Sequence, residues 1–277
     1  LGLFAAVASV AFPQDKIEIP VSGPLIIDQH IYPDSRNACG PASIFNLLQF
    51  GPESYQKARL SLVGANETTR FRFLIERYFK SQKSVINPRV KRWSASGLLS
   101  ADLAGGLNDL LEANKIPPLE SSYLDKKEGE SDALFLKRIH QWMNRSVSRG
   151  VPPILSLKSY MVRRRKENNF QPGWEVERHH YVVVTSLPKK LMSAPPSRGF
   201  EAIVIDSNGA IQRPVFIHLE SNAQAFRALK GDDLDDQWLD GRPFLLVEAS
   251  QIRAMRPADM KWSDRFIVVA NFLIGDF

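Results

Sequence analysis

The chain has 277 residues, 44% of them hydrophobic and 24% charged. That is the make-up of a globular protein with a sizeable core, and it excludes a disordered, collagenous or coiled-coil chain. The net charge is +6, a modest basic excess that favours anionic surfaces in general. The basic residues are spread out apart from Arg163, Arg164, Arg165 and Lys166, and neither zinc-ligand spacing nor an aromatic RNA-binding motif is present. No nucleic-acid partner and no metal site are therefore expected.

In chain order, residues 1–12 (LGLFAAVASVAF) are apolar and uncharged and end at Pro13. With Ser9 and Ala11 as small residues before Phe12, they read as the hydrophobic part of an export signal, which predicts a secreted or periplasmic protein. The run is too short to span a membrane by itself, and no later segment reaches the ~18 apolar residues a spanning helix needs. Residues 13–277 read as one domain. Short β-type runs broken by Pro and Gly follow Pro13 and give way to NACGPASIFNLLQFG. There Pro41 suits a first helical turn, Ile44, Leu47 and Leu48 recur at helical spacing, and Gly51 suits the stop.

Helices are predicted over 66–80, over 101–116, ended by Pro117 and Pro118, and over 131–150. Leu134, Ile139, Trp142 and Met143 are the expected buried face of the last. From residue 151 the pattern becomes β: VPPILSLKSYMV, a polar basic loop over roughly 163–178, HHYVVVTSL (179–187), then FEAIVID (200–206) as its hairpin partner. PFLLVEA (243–249) and RFIVVANFLI (265–274) are two further strands, and the stretches 188–200 and 220–242 look like surface insertions. Helices first and strands second predicts an α+β domain, with a helical half packed on an antiparallel half.

The only cysteine, Cys39, cannot form an internal disulfide. At a helix start its thiolate is stabilised by unpaired N–H groups and the helix dipole, and its own N–H is placed for an oxyanion. A small buried cysteine at a helix start is the other reading. A thiolate nucleophile needs an imidazole partner. Of the five histidines, His30 and His140 read as structural or surface residues, while His179 and His180 head an apolar strand. Adjacent strand residues face opposite sides, so only one of that pair can enter a given site. Asp206 ends the neighbouring strand and precedes Ser207, Asn208 and Gly209. It can hold a histidine tautomer or simply cap its own turn.

The segment QHIYPDSRNACGPASIFNLL resembles the nucleophile region of the C39-like peptidases of the papain-like superfamily. HHYVVV resembles their base strand, AIVIDSNG their strand ending in the triad Asp, and RGVPPILSL the strand before the base. The order Cys39, His180, Asp206 also matches, and the nucleophile-to-base separation falls in the roughly 130–150 residues typical of papain-like chains. The resemblance implies a papain-like fold, with the nucleophile helix packed on the sheet half. It implies Cys39 as nucleophile, His180 rather than His179 as base, Asp206 as orienting residue and Gln29 as oxyanion donor, with Asn37 as the fallback. It implies a cysteine peptidase acting on a peptide or protein substrate without a cofactor. A transglutaminase-like or other amide acyltransferase, and an inactive binding module of the same fold, are the alternatives. The papain C-G-S-C-W signature is absent, and the 277 residues include no transporter segment. The basic stretch before His180 is a candidate cleft wall favouring acidic substrates.

Overall fold

Two strand features, length and curvature, decide the architecture. The structure, a computed structural model, describes residues 15–33, 37–94, 97–164, 166, 172–191, 199–220, 244–256 and 266–277. The predicted export signal and most of the two predicted insertions lie outside them. In chain order the elements are β1 (Lys16–Glu18), α1 (Cys39–Phe50), α2 (Glu53–Leu60), α3 (Glu67–Ile75), α4 (Ser100–Ala113), β2 (Glu120–Tyr123) and α5 (Asp132–Ser148). The β-rich part follows: β3 (Ile154–Arg164), β4 (Pro172–Pro188), β5 (Gly199–Asp206), β6 (Ile211–Glu220), β7 (Phe244–Glu248) and β8 (Phe266–Gly275).

The strands run β4-β3-β8-β7-β6-β5 and return to β4, all antiparallel, which closes a six-stranded barrel. β1 lies along the end of β4 and β2 along the end of β8. This corrects the expected papain-like arrangement of a helical half on an antiparallel sheet half: the protein is a mixed α/β fold built on a closed barrel. The physical reason is the length of β4. Its 17 residues carry β3 along one stretch and β5 along another. Register irregularities at Ser156/Leu157, Ser159/Tyr160 and Val184/Ser186 bend the strands, as closure requires.

β4 begins at Pro172, so most of the expected basic loop is instead the end of a hairpin with Arg163 opposite Gly173. Trp174 and Val176 alternate with Glu175 and Glu177, and the apolar pair packs against Tyr160, Phe244 and Val269. Arg163 is paired with Glu177 at 2.7 Å, which compensates one charge of the basic stretch, and Arg165 lies outside the described residues. β6 was not expected, because Pro214 interrupts its pattern. On α5 the buried stripe runs through Phe135, Leu136, Ile139, His140 and Met143, and the expected core residue Leu134 is 55% exposed. The helix predicted over 66–80 is capped by a reciprocal Asn66–Thr69 box and widens into a π turn over Glu76–Lys80. No helix of the described residues is long and apolar enough to cross a membrane.

α4 holds two glycines whose roles differ. A Cβ on Gly106 would lie 2.2 Å from the Phe79 ring, which is fully buried. A Cβ on Gly105 would lie 2.7 Å from the end of the Val85 side chain, which is 49% exposed. Ala gains about 1 kcal/mol over Gly in a helix interior, whereas overpacking a core costs about 1–3 kcal/mol. The ring cannot swing away and the exposed Val can. Gly106→Ala is therefore expected to lower the stability measured by denaturant unfolding, and Gly105→Ala to leave it unchanged or raise it.

Candidate active site

Cys39 is the first residue of α1, and the preceding Ala38 supplies no capping side chain. The N-cap residue thus contributes no side-chain acceptor to the first N–H groups of the helix. Gly40, with no side chain, could leave room for a substrate carbonyl. Its open side is instead filled by packing: a Cβ there would lie 2.9 Å from Leu103, 3.3 Å from Tyr181 and 3.4 Å from Leu98. Ser43, one turn on, donates to the Tyr181 carbonyl at 3.0 Å. These contacts press the start of α1 onto β4 at the residue next to His180.

Register then separates the two histidines. His180 lies opposite Leu157 and His179 opposite Lys158, so the rings leave opposite faces of the sheet. His180 Nε2 is 2.8 Å from Asp206 Oδ1, and both residues are buried. The carboxylate can only accept, so Nε2–H donates and Nδ1 is left for Cys39. Burial pushes the His180 pKa down, but the Asp206 hydrogen bond, the Cys39 hydrogen bond and the charges of both outweigh it and raise it to about 9. At neutral pH the ring is an imidazolium between a carboxylate and the sulfur. Cys39, 8% exposed against 2% for His180 and none for Asp206, stands at the outer end of the set.

His179 sits elsewhere, with Nε2 2.8 Å from Ser156 Oγ. Burial, with the charges of Lys158 and His180, holds its pKa well below the ordinary value, so it stays neutral. His140 is structural: it lies 2.8 Å from the Pro188 carbonyl and edge-on to Phe200. His30 lies on the site's margin, 2.7 Å from Asn208 Oδ1.

Asp206 orients the histidine and caps its turn at once. Oδ1 accepts from Asn208 N at 2.9 Å as well as from His180, and Oδ2 accepts from Arg213 Nε at 3.1 Å. Burial opposes its ionisation, but the bonds and charge of His180, Asn208 and Arg213 keep its pKa below the ordinary value. Arg213 was not foreseen. Once β6 is recognised, its register finds it, since Val204 opposes Arg213 and Asp206 opposes Ile211.

Gln29 opens a short 3-10 turn over Gln29–Ile31 and is buried. Its N–H donates to the Ser207 carbonyl at 3.0 Å and its Oε1 accepts from Ser207 Oγ at 3.2 Å. That ties Gln29 to the residue after Asp206. The alternative donor Asn37 lies beside Gly97.

One residue sequence reasoning missed holds this segment to the nucleophile helix. Asn46, on α1 and fully buried, accepts from Ile27 N at 2.8 Å and donates to Ile27 O at 3.3 Å. Asn46→Ala would leave both backbone groups unpaired in a buried place. We expect a stability loss of about 2 kcal/mol in denaturant unfolding, with a drop in turnover larger than that of an equally destabilising change remote from the site. Among the described residues no group of three His, Cys, Asp or Glu side chains is placed to hold a metal ion.

No family model matches this chain, and no curated protein or solved structure is significantly similar to it.

Proposed function

We propose that the protein is a thiol hydrolase that cleaves a peptide or related amide bond, with Cys39 as nucleophile, His180 as acid and base, and Asp206 as the residue that orients His180. One observation carries the reading: the buried His180–Asp206 bond at 2.8 Å, on a ring whose pKa Cys39 helps to raise from the first residue of a helix. The local resemblance to C39-like peptidases at the Cys39, His180 and Asp206 segments supports it, independently of the overall architecture.

The Cys39 sulfur forms a bond to the amide carbon, and the carbonyl oxygen becomes an oxyanion facing the Cys39 N–H and Gln29 Nε2. His180 gives its proton to the leaving nitrogen as the C–N bond breaks, which leaves a thioester. Water then attacks while His180 takes its proton, and collapse of the second oxyanion returns the thiolate and the imidazolium.

The test is alkylation by iodoacetamide, whose site is unambiguous because Cys39 is the only cysteine. Fast labelling at about pH 5–6, lost in His180→Ala, is the expected result. Slow labelling with an apparent pKa near the ~8.5 of a free thiol, the same in both proteins, would sink the reading. Peptide turnover with and without added amine then separates hydrolysis from acyl transfer.

A further inference from the structure

The loop between the π turn and α4 is at odds with its surroundings. Val85, Ile86 and Val90 are 49%, 37% and 51% exposed, three large aliphatic chains within six residues. Singly exposed aliphatics are ordinary; a cluster on one protruding loop is not.

The exposure is built in. Arg92 N donates to the Gln82 carbonyl at 3.1 Å and Ser84 N to the Val90 carbonyl at 3.0 Å, which closes a small hook. Inside it, Ser84 Oγ accepts from both Ile86 N and Asn87 N at 3.2 Å. The base is clamped from the core. Asp102, 1% exposed, accepts from Val85 N at 2.7 Å, and Arg92, 7% exposed, is paired with Asp109 at 2.6 Å. A loop with this many internal bonds holds its apolar tip outward.

Charge decides what the tip would meet. Lys83, Arg89 and Lys91 flank the aliphatics, are exposed, and make no ion pair among the described residues. Residues 77–94 contain no acidic residue at all. Aliphatic tips ringed by long cationic chains match the boundary between acyl chains and anionic headgroups: the aliphatics enter the boundary, and the Lys and Arg stems lie along it with their charges in the headgroup layer. A protein-docking patch would instead be expected to centre on aromatic anchors, and none lies at the apex.

We propose that the loop 82–92 is a wedge that docks the protein on an anionic phospholipid surface. This rests on observations separate from the Cys39 site. The test is sedimentation of the full chain with vesicles of phosphatidylcholine alone and of equimolar phosphatidylcholine and phosphatidylglycerol. Retention on the mixed vesicles that weakens as salt is raised, with little on the neutral ones, is the expected result. The combined change Lys83→Glu, Arg89→Glu and Lys91→Glu should lower the partition coefficient at least about a hundredfold, and Ile86→Asp with Val90→Asp should also release the protein. All five positions are exposed, so melting temperature and Cys39 alkylation should stay as in the wild type. No retention on mixed vesicles, equal retention on neutral ones, or an unchanged partition in either variant would overturn the wedge.

Discussion

Cys39→Ala should abolish turnover, by a factor on the order of 10⁵–10⁶ if the set acts as a unit, while leaving the fold intact. The residue is small and buried at the start of α1, so loss of one sulfur there removes little packing. What disappears is the atom that bonds to the substrate carbon in the proposed mechanism. His180→Ala should cost a similar factor, because the proton that leaves with the amine has no other carrier at the sulfur. Steady-state hydrolysis of a peptide pool by the two variants and the double variant checks both. Losses that do not add would identify one unit, whereas additive losses would mean that the residues act independently. Cys39→Ala with wild-type turnover would remove the sulfur from the mechanism altogether.

The three candidate residues stand out in the sequence because each sits in a short local pattern. An unpaired cysteine before a Pro at a helix start, two histidines heading a run of valines, and an Asp before Ser-Asn-Gly are all visible in one dimension. The pairing of β4 with β5 was also legible, and it is what brings His180 and Asp206 together. What was not legible is what depends on strands that break their own pattern. Pro214 hid β6, and with β6 went both Arg213 and the closure of the barrel. The Pro-Gly and charged start of β4 hid its first half in the same way. Gly40 and Asn46 illustrate a different gap. Their partners, Tyr181 and Ile27, lie across the fold, so neither spacing nor propensity could show that they set how α1 meets the site. The exposed aliphatics of the 82–92 loop look like core in the sequence, and only the hydrogen bonds that hold them outward show otherwise.

Asp206→Asn tests the electrostatics of the site. The carboxylate has only acceptors, and its two oxygens take three donors: His180 Nε2, Asn208 N and Arg213 Nε. An amide has one acceptor oxygen and an NH₂. If the oxygen faces Arg213, the NH₂ meets His180 Nε2 and Asn208 N–H. The ring then escapes a clash of donors only by giving up the Nε2 proton, which puts the neutral tautomer's proton on Nδ1, toward the sulfur. If the oxygen faces His180, the NH₂ meets Arg213 Nε–H and a buried donor is stranded. The first outcome costs catalysis, on the order of 10⁴ in kcat, and the second about 1–3 kcal/mol of stability.

The pH profile carries the sign. In the wild type the His180 pKa is raised to about 9, so the imidazolium is fully formed below the ordinary 6.5 and is lost as pH rises through about 9. Amide acylation, which needs that proton, should fall along an alkaline limb there. The stabilising contribution of the raised pKa is lost over the same window, from the ordinary value up to about 9. In Asp206→Asn the carboxylate's hydrogen bond and charge no longer raise the pKa, while burial still lowers it. The alkaline limb should therefore move down by roughly one to two units. Asp206→Ala, which strands all three donors without offering an amide, should lose more stability but shift the limb in the same direction. A limb that stays near pH 9 in both variants would show that Asp206 does not set the charge of His180, and that the proton on that ring is held by the sulfur alone.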